Sequence, residues 1–205
     1  MARPNVLIGH WPLAGPGSGD HYLVYGNFFY QNRSESLLQG EGNIALYNNL
    51  FVNHFGDAIR IRPHNAAPRM IRVFYNTVIA RDSGIMIAPQ GRNQAYRQLV
   101  ADNIVFAGVP LRGGSPESNM TGSFFEAVDY LARPFGLLGE MNLMLLKPVR
   151  LKKSGNKAAF DIYLHANLDF DGSPRGNLDA GAYTFEKKEP HWLPVLDIKP
   201  AIPIQ

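Results

Sequence analysis

Arginine is concentrated in one part of this sequence. Arg60 and Arg62 in "DAIRIRPHN" are followed by His64 and Arg69, then by Gln90, Arg92 and Arg97, with Arg112 further along. Guanidinium groups bind carboxylates as bidentate forks. Neutralising a carboxylate acidifies the C–H beside it, so clustered arginines prepare such a substrate for proton abstraction. A base is then required, and His64 is the nearest candidate along the chain. Arg60, Arg62 and His64 are therefore the candidate catalytic set. Arg69, Gln90, Arg92 and Arg112 are the candidate substrate-binding residues. The competing reading is that outward arginines on a sheet are simply solvated.

These residues need a scaffold, and the chain supplies one by repetition. Aligned on Asn27, Asn49, Asn76 and Asn103, the segments "YLVYGNFFYQN", "IALYNNLFVN", "IRVFYNTVIA" and "QLVADNIVFA" share one register, at separations of 22, 27 and 27 residues. Val24, Leu46, Val73 and Val100 stand three residues before each asparagine, and Phe29, Phe51, Val78 and Val105 stand two after it. A third apolar set follows in Ile59 and Ile61 and in Ile85 and Ile87, with Leu37 in the first copy. Each period thus carries three short strands, which fits one coil of a parallel β-helix and is too short for a propeller blade. Coils stack at the inter-strand spacing, so equivalent side chains lie one above another. An asparagine at a bend tolerates unusual φ/ψ and bonds its amide to the backbone or to the next asparagine. Alternation turns Arg60 and Arg62 outward together, near Met86 and Ala88.

The repeat resembles the right-handed parallel β-helix superfamily that includes the pectate lyases, whose corner asparagines form such a ladder. "LDFDGSPRGNLDAGAYTF", residues 168–185, resembles the "DFDG-x-PR…D-x-GAYE" ending of many bacterial exported members. The resemblance implies an all-β, right-handed parallel β-helix with an irregular C-terminal extension packed on its side. It also implies a polysaccharide lyase-like protein acting on an acidic, uronate polymer by β-elimination, secreted or displayed at the cell surface in its full-length form. The alternative is a non-catalytic carbohydrate-binding or structural surface solenoid. "RIR" at 60–62 resembles the Arg-Ile-Lys of the polygalacturonase-like members, without their paired aspartates or Gly-His-Gly. No cofactor is implied, apart from calcium, which pectate lyases bind through an aspartate cluster that this sequence does not repeat.

Residues 1–19 read as the remnant of an upstream coil followed by a Gly/Pro-rich loop, 20–115 as the β-helix coils, and 116–205 as the C-terminal extension with a short helix in "FFEAVDYLA" and a turn-rich ending. "MARPNVLIGHWPLAGPGSG" has neither the charged nor the apolar region of a signal peptide. A coil end without a capping helix favours an end-to-end homodimer that hides apolar stacks and strand edges. Outward Tyr25, Tyr47 and Phe74 form an aromatic column, which the C-terminal segment is expected to cover. Asp169, Asp171, Arg175 and Asp179 read as turn chemistry with Asp–Arg pairs. The sequons at Asn32 and Asn119 read as chance matches. With a formal charge of +3 and no basic block, the chain is not read as a nucleic-acid binder. No run is long and apolar enough for membrane insertion. Cysteine is absent, which excludes disulfides and a thiol nucleophile.

Overall fold

Period-2 apolar segments separated by asparagine corners fold into three columns of parallel strands. The computed structural model describes residues 2–89, 96–149, 151, 157–176, 179–185 and 189–201. The strands are, in chain order, β1 (Val6–Ile8), β2 (Tyr22–Tyr25), β3 (Phe28–Tyr30), β4 (Leu38–Gly40), β5 (Gly42–Tyr47), β6 (Leu50–Asn53), β7 (Ile59–Ile61) and β8 (Pro68–Phe74). They continue with β9 (Thr77–Ile87), β10 (Leu99–Ala101), β11 (Ile104–Arg112), β12 (Ser115–Glu117) and β13 (Met120–Gly122).

The first face stacks β2, β5, β8, β10 and β12. The second stacks β3, β6, the first part of β9, the first part of β11, and β13. The third stacks β1, β4, β7 and the later parts of β9 and β11. The result is a parallel β-solenoid. The inward columns expected from the sequence are in register: Val24, Leu46, Val73 and Val100 on the first face, and Phe29, Phe51, Val78 and Val105 on the second. On the third face Ile59 pairs with Ile85 and Ile61 with Ile87, but their partners in the earlier coil are Leu38 and Gly40, not Leu37. Leu37 is buried one residue earlier, in the corner, where its N–H donates to the carbonyl of Asp57.

The asparagines form a ladder with one direction. Asn49 donates its N–H and Nδ2 to Asn76 Oδ1 at 3.1 and 3.0 Å, and Asn76 does the same to Asn103 Oδ1 at 3.0 and 2.9 Å. Asn103 continues to Asn119 Oδ1, so the sequon asparagine is a fifth rung. It escapes a fixed-period search because only 16 residues separate it from Asn103. The residue before each rung, Gly26, Asn48, Tyr75, Asp102 or Ser118, has a positive φ between 51° and 67°. Two residues therefore turn the chain between the first and second faces, and the asparagine satisfies the groups that the bend would orphan.

The C-terminal region covers two of the three faces. On the first, Tyr25, Tyr47, Phe74 and Phe160 stack ring on ring, with centroids 5.0, 4.9 and 4.0 Å apart, and Tyr163 packs beside them. Phe160 ends α2 (Lys157–Phe160), preceded in the chain by α1 (Ala127–Tyr130). The aromatic column is thus covered by protein, and a buried aromatic contributes about 1.5 to 3 kcal/mol. On the second face, outward Leu50, Val52, Ile79, Ile104 and Phe106 are buried under α1, the antiparallel pair β14 (Leu131–Arg133) and β15 (Asn142–Leu145), and the ending around Phe170 and Tyr183. The arginine-bearing third face lies outside both clusters.

Among the described residues the ending is turn chemistry in which Asp169 and Arg175 both bond to the backbone. Asp169 accepts the N–H groups of Asp171, Ser173 and Thr184. Buried Arg175 donates to Asn48 Oδ1 at 2.6 Å and to the carbonyls of Leu168 and Ala182, and its guanidinium lies 4.2 Å from the Tyr75 ring centroid. Arg175 therefore fastens the ending to the positive-φ corner. Burial raises the Tyr75 hydroxyl to a pKa of about 12, against the lowering effect of Arg175.

Candidate functional site

On the third face, alternation places one outward side chain per coil in vertical register: Gln39, Arg60, Met86 and Arg112. Arg62 and Ala88 stand two residues along, beyond Ile61 and Ile87. Together Arg60, Arg62, Met86, Ala88, Pro89 and Arg112 line a recess of about 320 Å³. Its floor is apolar and its rim cationic. Such a surface suits an anionic ligand with an apolar face.

The three arginines are not equivalent. Arg60, half-buried, forms an ion pair with Asp57, whose Oδ1 also accepts the Ser83 N–H at 2.9 Å. Its charge is therefore spent within the protein. Arg62 donates to Gln39 Oε1 at 3.1 Å and lies 3.9 Å from Glu35, which in turn accepts from Gln39. That brace orients Arg62 while leaving most of its donors open. Arg112 is exposed and has no partner among the described residues. Arg62 and Arg112 are the groups able to receive an external carboxylate.

The other candidates fall elsewhere. His64 is exposed and follows β7; its N–H donates to Glu41 Oε2 at 2.6 Å, and its ring is not part of the recess lining. Arg69 belongs to β8 on the first face, half-buried, with Nε and one terminal nitrogen enclosed without a hydrogen-bond partner. Gln90 and Arg92 lie outside the described residues. The brace residues Asp57, Glu35 and Gln39 were missed by sequence reasoning. Only Asp57 leaves a local signal, three positions before Arg60.

Glu41 was also missed. It is fully buried at the corner between the third and first faces, and accepts the N–H groups of His10, His64, Asn65 and Ala66. Burial raises its pKa, but those four bonds outweigh it and hold the carboxyl below its ordinary value. Glu41 is thus a structural carboxylate that fixes the loop carrying His64. Among the described residues no group of three or more histidine, aspartate or glutamate side chains is placed to hold a metal ion, so calcium finds no described carboxylate cluster. No described helix is long and apolar enough to cross a membrane. Compared with protein-family models, curated proteins and solved structures, the chain matches none.

Proposed function

We propose that this chain belongs to a carbohydrate-active β-solenoid protein of the pectate-lyase-like kind, whose third face, outside the clusters made by the described C-terminal residues, takes an acidic, uronate-containing polysaccharide. The observation that carries the reading is the convergence of Arg60, Arg62 and Arg112 on one recess with an apolar floor. Arg62 and Arg112 would bind a uronate carboxylate, and neutralising it would make the C5 proton more acidic. In a β-elimination that proton passes to a base. The C5 electron pair forms the C4=C5 bond, and the C4–O bond breaks with its electrons leaving on oxygen. His64, on the loop anchored by Glu41, is the candidate base. The reading carries with it secretion or surface display of the full-length protein.

A second reading is non-catalytic binding. Two observations favour it: Arg60 is neutralised by Asp57, and the His64 ring is outside the recess lining. One experiment separates the two. The protein and its Arg112→Ala and His64→Ala variants are tested against a panel of uronate polymers and a neutral glucan. Retardation in affinity gels reads binding, and absorbance of the unsaturated product reads elimination. Binding with product that depends on His64 supports the lyase. Arg112-dependent binding without product supports the binder. No preference for uronate over the neutral polymer overturns both.

A further inference from the structure

The two ends of the strand columns are complementary. At one end the second face closes with β3. Leu50 donates to the Asn27 carbonyl and Gln31 to the Val52 carbonyl, so the alternation of a parallel ladder turns the N–H and C=O of Phe28 away from β6, to the open side. A cleft of about 690 Å³ follows this edge, walled on its far side by Trp192 and the tail from Val195 to Lys199. Asn27 is the terminal rung there. The Oδ1 of each later rung receives two N–H groups from the rung before, whereas Asn27 Oδ1 receives none among the described residues.

At the other end the second face closes with β13. Met120 donates to the Asn103 carbonyl, which turns the N–H and C=O of Thr121 to the open side. The Asn119 N–H, which earlier rungs direct to the next Oδ1, has no described acceptor. The third face matches too. The coil containing β12 and β13 has no described third-face strand, while β1 is a third-face strand with no described first- or second-face strand in its own coil.

We infer that this chain associates head to tail with a second copy, the β12–β13 end of one copy docking on the β1–β3 end of the next. Asn119 donates to Asn27 Oδ1, β13 pairs with β3 in the cleft beside the tail, and β1 completes the unfinished coil. The register of both sheets and the direction of the ladder run on unbroken across the joint. Pro116 carries no N–H and takes one donor from the open edge of β12, so β13 bears most of the pairing. The joint is heterologous, unlike a closed homodimer in which like ends meet, and each copy keeps one end of each kind. Growth is therefore open and concentration-dependent.

Sedimentation velocity on the full chain and two variants tests this. Asn27→Lys removes the acceptor and sets an ammonium at one end; Thr121→Lys sets one at the other. Both positions are exposed, and circular dichroism checks that both variants fold. The wild type is expected to form a ladder of species that lengthens with concentration, and each variant alone to stay monomeric, with self-association weakened at least tenfold. A one-to-one mixture should give a heterodimer and nothing larger, because one competent joint remains. Self-association restored only on mixing also excludes misfolding as the cause. A wild type monomeric throughout, or a Thr121→Lys variant that still dimerises, overturns the inference.

Discussion

Replacing Asn76 by alanine tests the ladder where it is fully enclosed. The side chain accepts the Asn49 N–H and Nδ2 and donates to the carbonyls of Leu46 and Phe74 and to Asn103 Oδ1. After truncation, Asn49 Nδ2 keeps the Val24 carbonyl and Asn103 Oδ1 keeps the Asn76 N–H. The Asn49 N–H and the carbonyls of Leu46 and Phe74 lose these partners inside a dry corner. An unsatisfied buried group costs about 1 to 3 kcal/mol, so these losses together with a small cavity amount to about 3 to 5 kcal/mol. Asn27→Ala at the exposed end orphans no buried group, because Asn49 Oδ1 keeps the Asn27 N–H, and should cost less than about 1 kcal/mol. Urea unfolding followed by far-UV circular dichroism measures both. A third variant, Asn76→Asp, places a carboxylate against carbonyl oxygens, which raises its pKa. Its stability is then present at low pH and lost as pH rises through the raised value. If Asn76→Ala and Asn27→Ala agree within about 0.5 kcal/mol, the ladder is not a cooperative buried element and the reasoning fails.

Glu41→Gln should cost about 3 kcal/mol at neutral pH, through an orphaned His10 N–H and three weakened charge-assisted bonds. Because the folded carboxyl is held below its ordinary value of 4.5, the contribution is present above that value and lost as pH falls through the lowered one. The melting curves of Glu41→Gln and wild type should therefore converge in acid; a constant gap would contradict this. Gly42→Ala should destabilise by about 2 kcal/mol or more, since φ is +72° and a Cβ would clash with the His10 ring, as thermal unfolding would report. Arg175→Lys should cost about 2 to 3 kcal/mol by removing the planar fork, and limited proteolysis should then cut first near residues 161–176, not in the coils.

The solenoid was legible because its signal recurs: each coil repeats the same two inward columns around the same asparagine, and stacking makes the sequence register identical to the spatial one. The outward placement of Arg60 and Arg62 followed from alternation next to Ile59 and Ile61, and Arg112 joined them because the coils stack in register. Whatever joins residues far apart in the chain left no trace. The Arg175–Asn48 bond spans 127 positions, and nothing near Asn48 announces it. The carboxylates also differ from their sequence appearance. Asp57 looks solvated in a glycine-containing corner, yet it neutralises Arg60. Glu41 looks like one surface charge among many, yet its four backbone donors arrive from two different coils.

The two corners of the coil invite different kinds of evolutionary change. Between the first and second faces the connection is always two residues, at 26–27, 48–49, 75–76, 102–103 and 118–119. Between the third and first faces it spans 13, 1, 6, 11 and 2 residues in successive coils. The asparagine corner works as a fixed hinge pin, while the opposite corner is an elastic seam into which sequence is inserted without disturbing the stack. The arginine recess borders that seam through Arg62, Pro89 and Arg112. New loops can therefore be grafted beside the recess, and its selectivity redrawn, while the hinge and the core stay as they are.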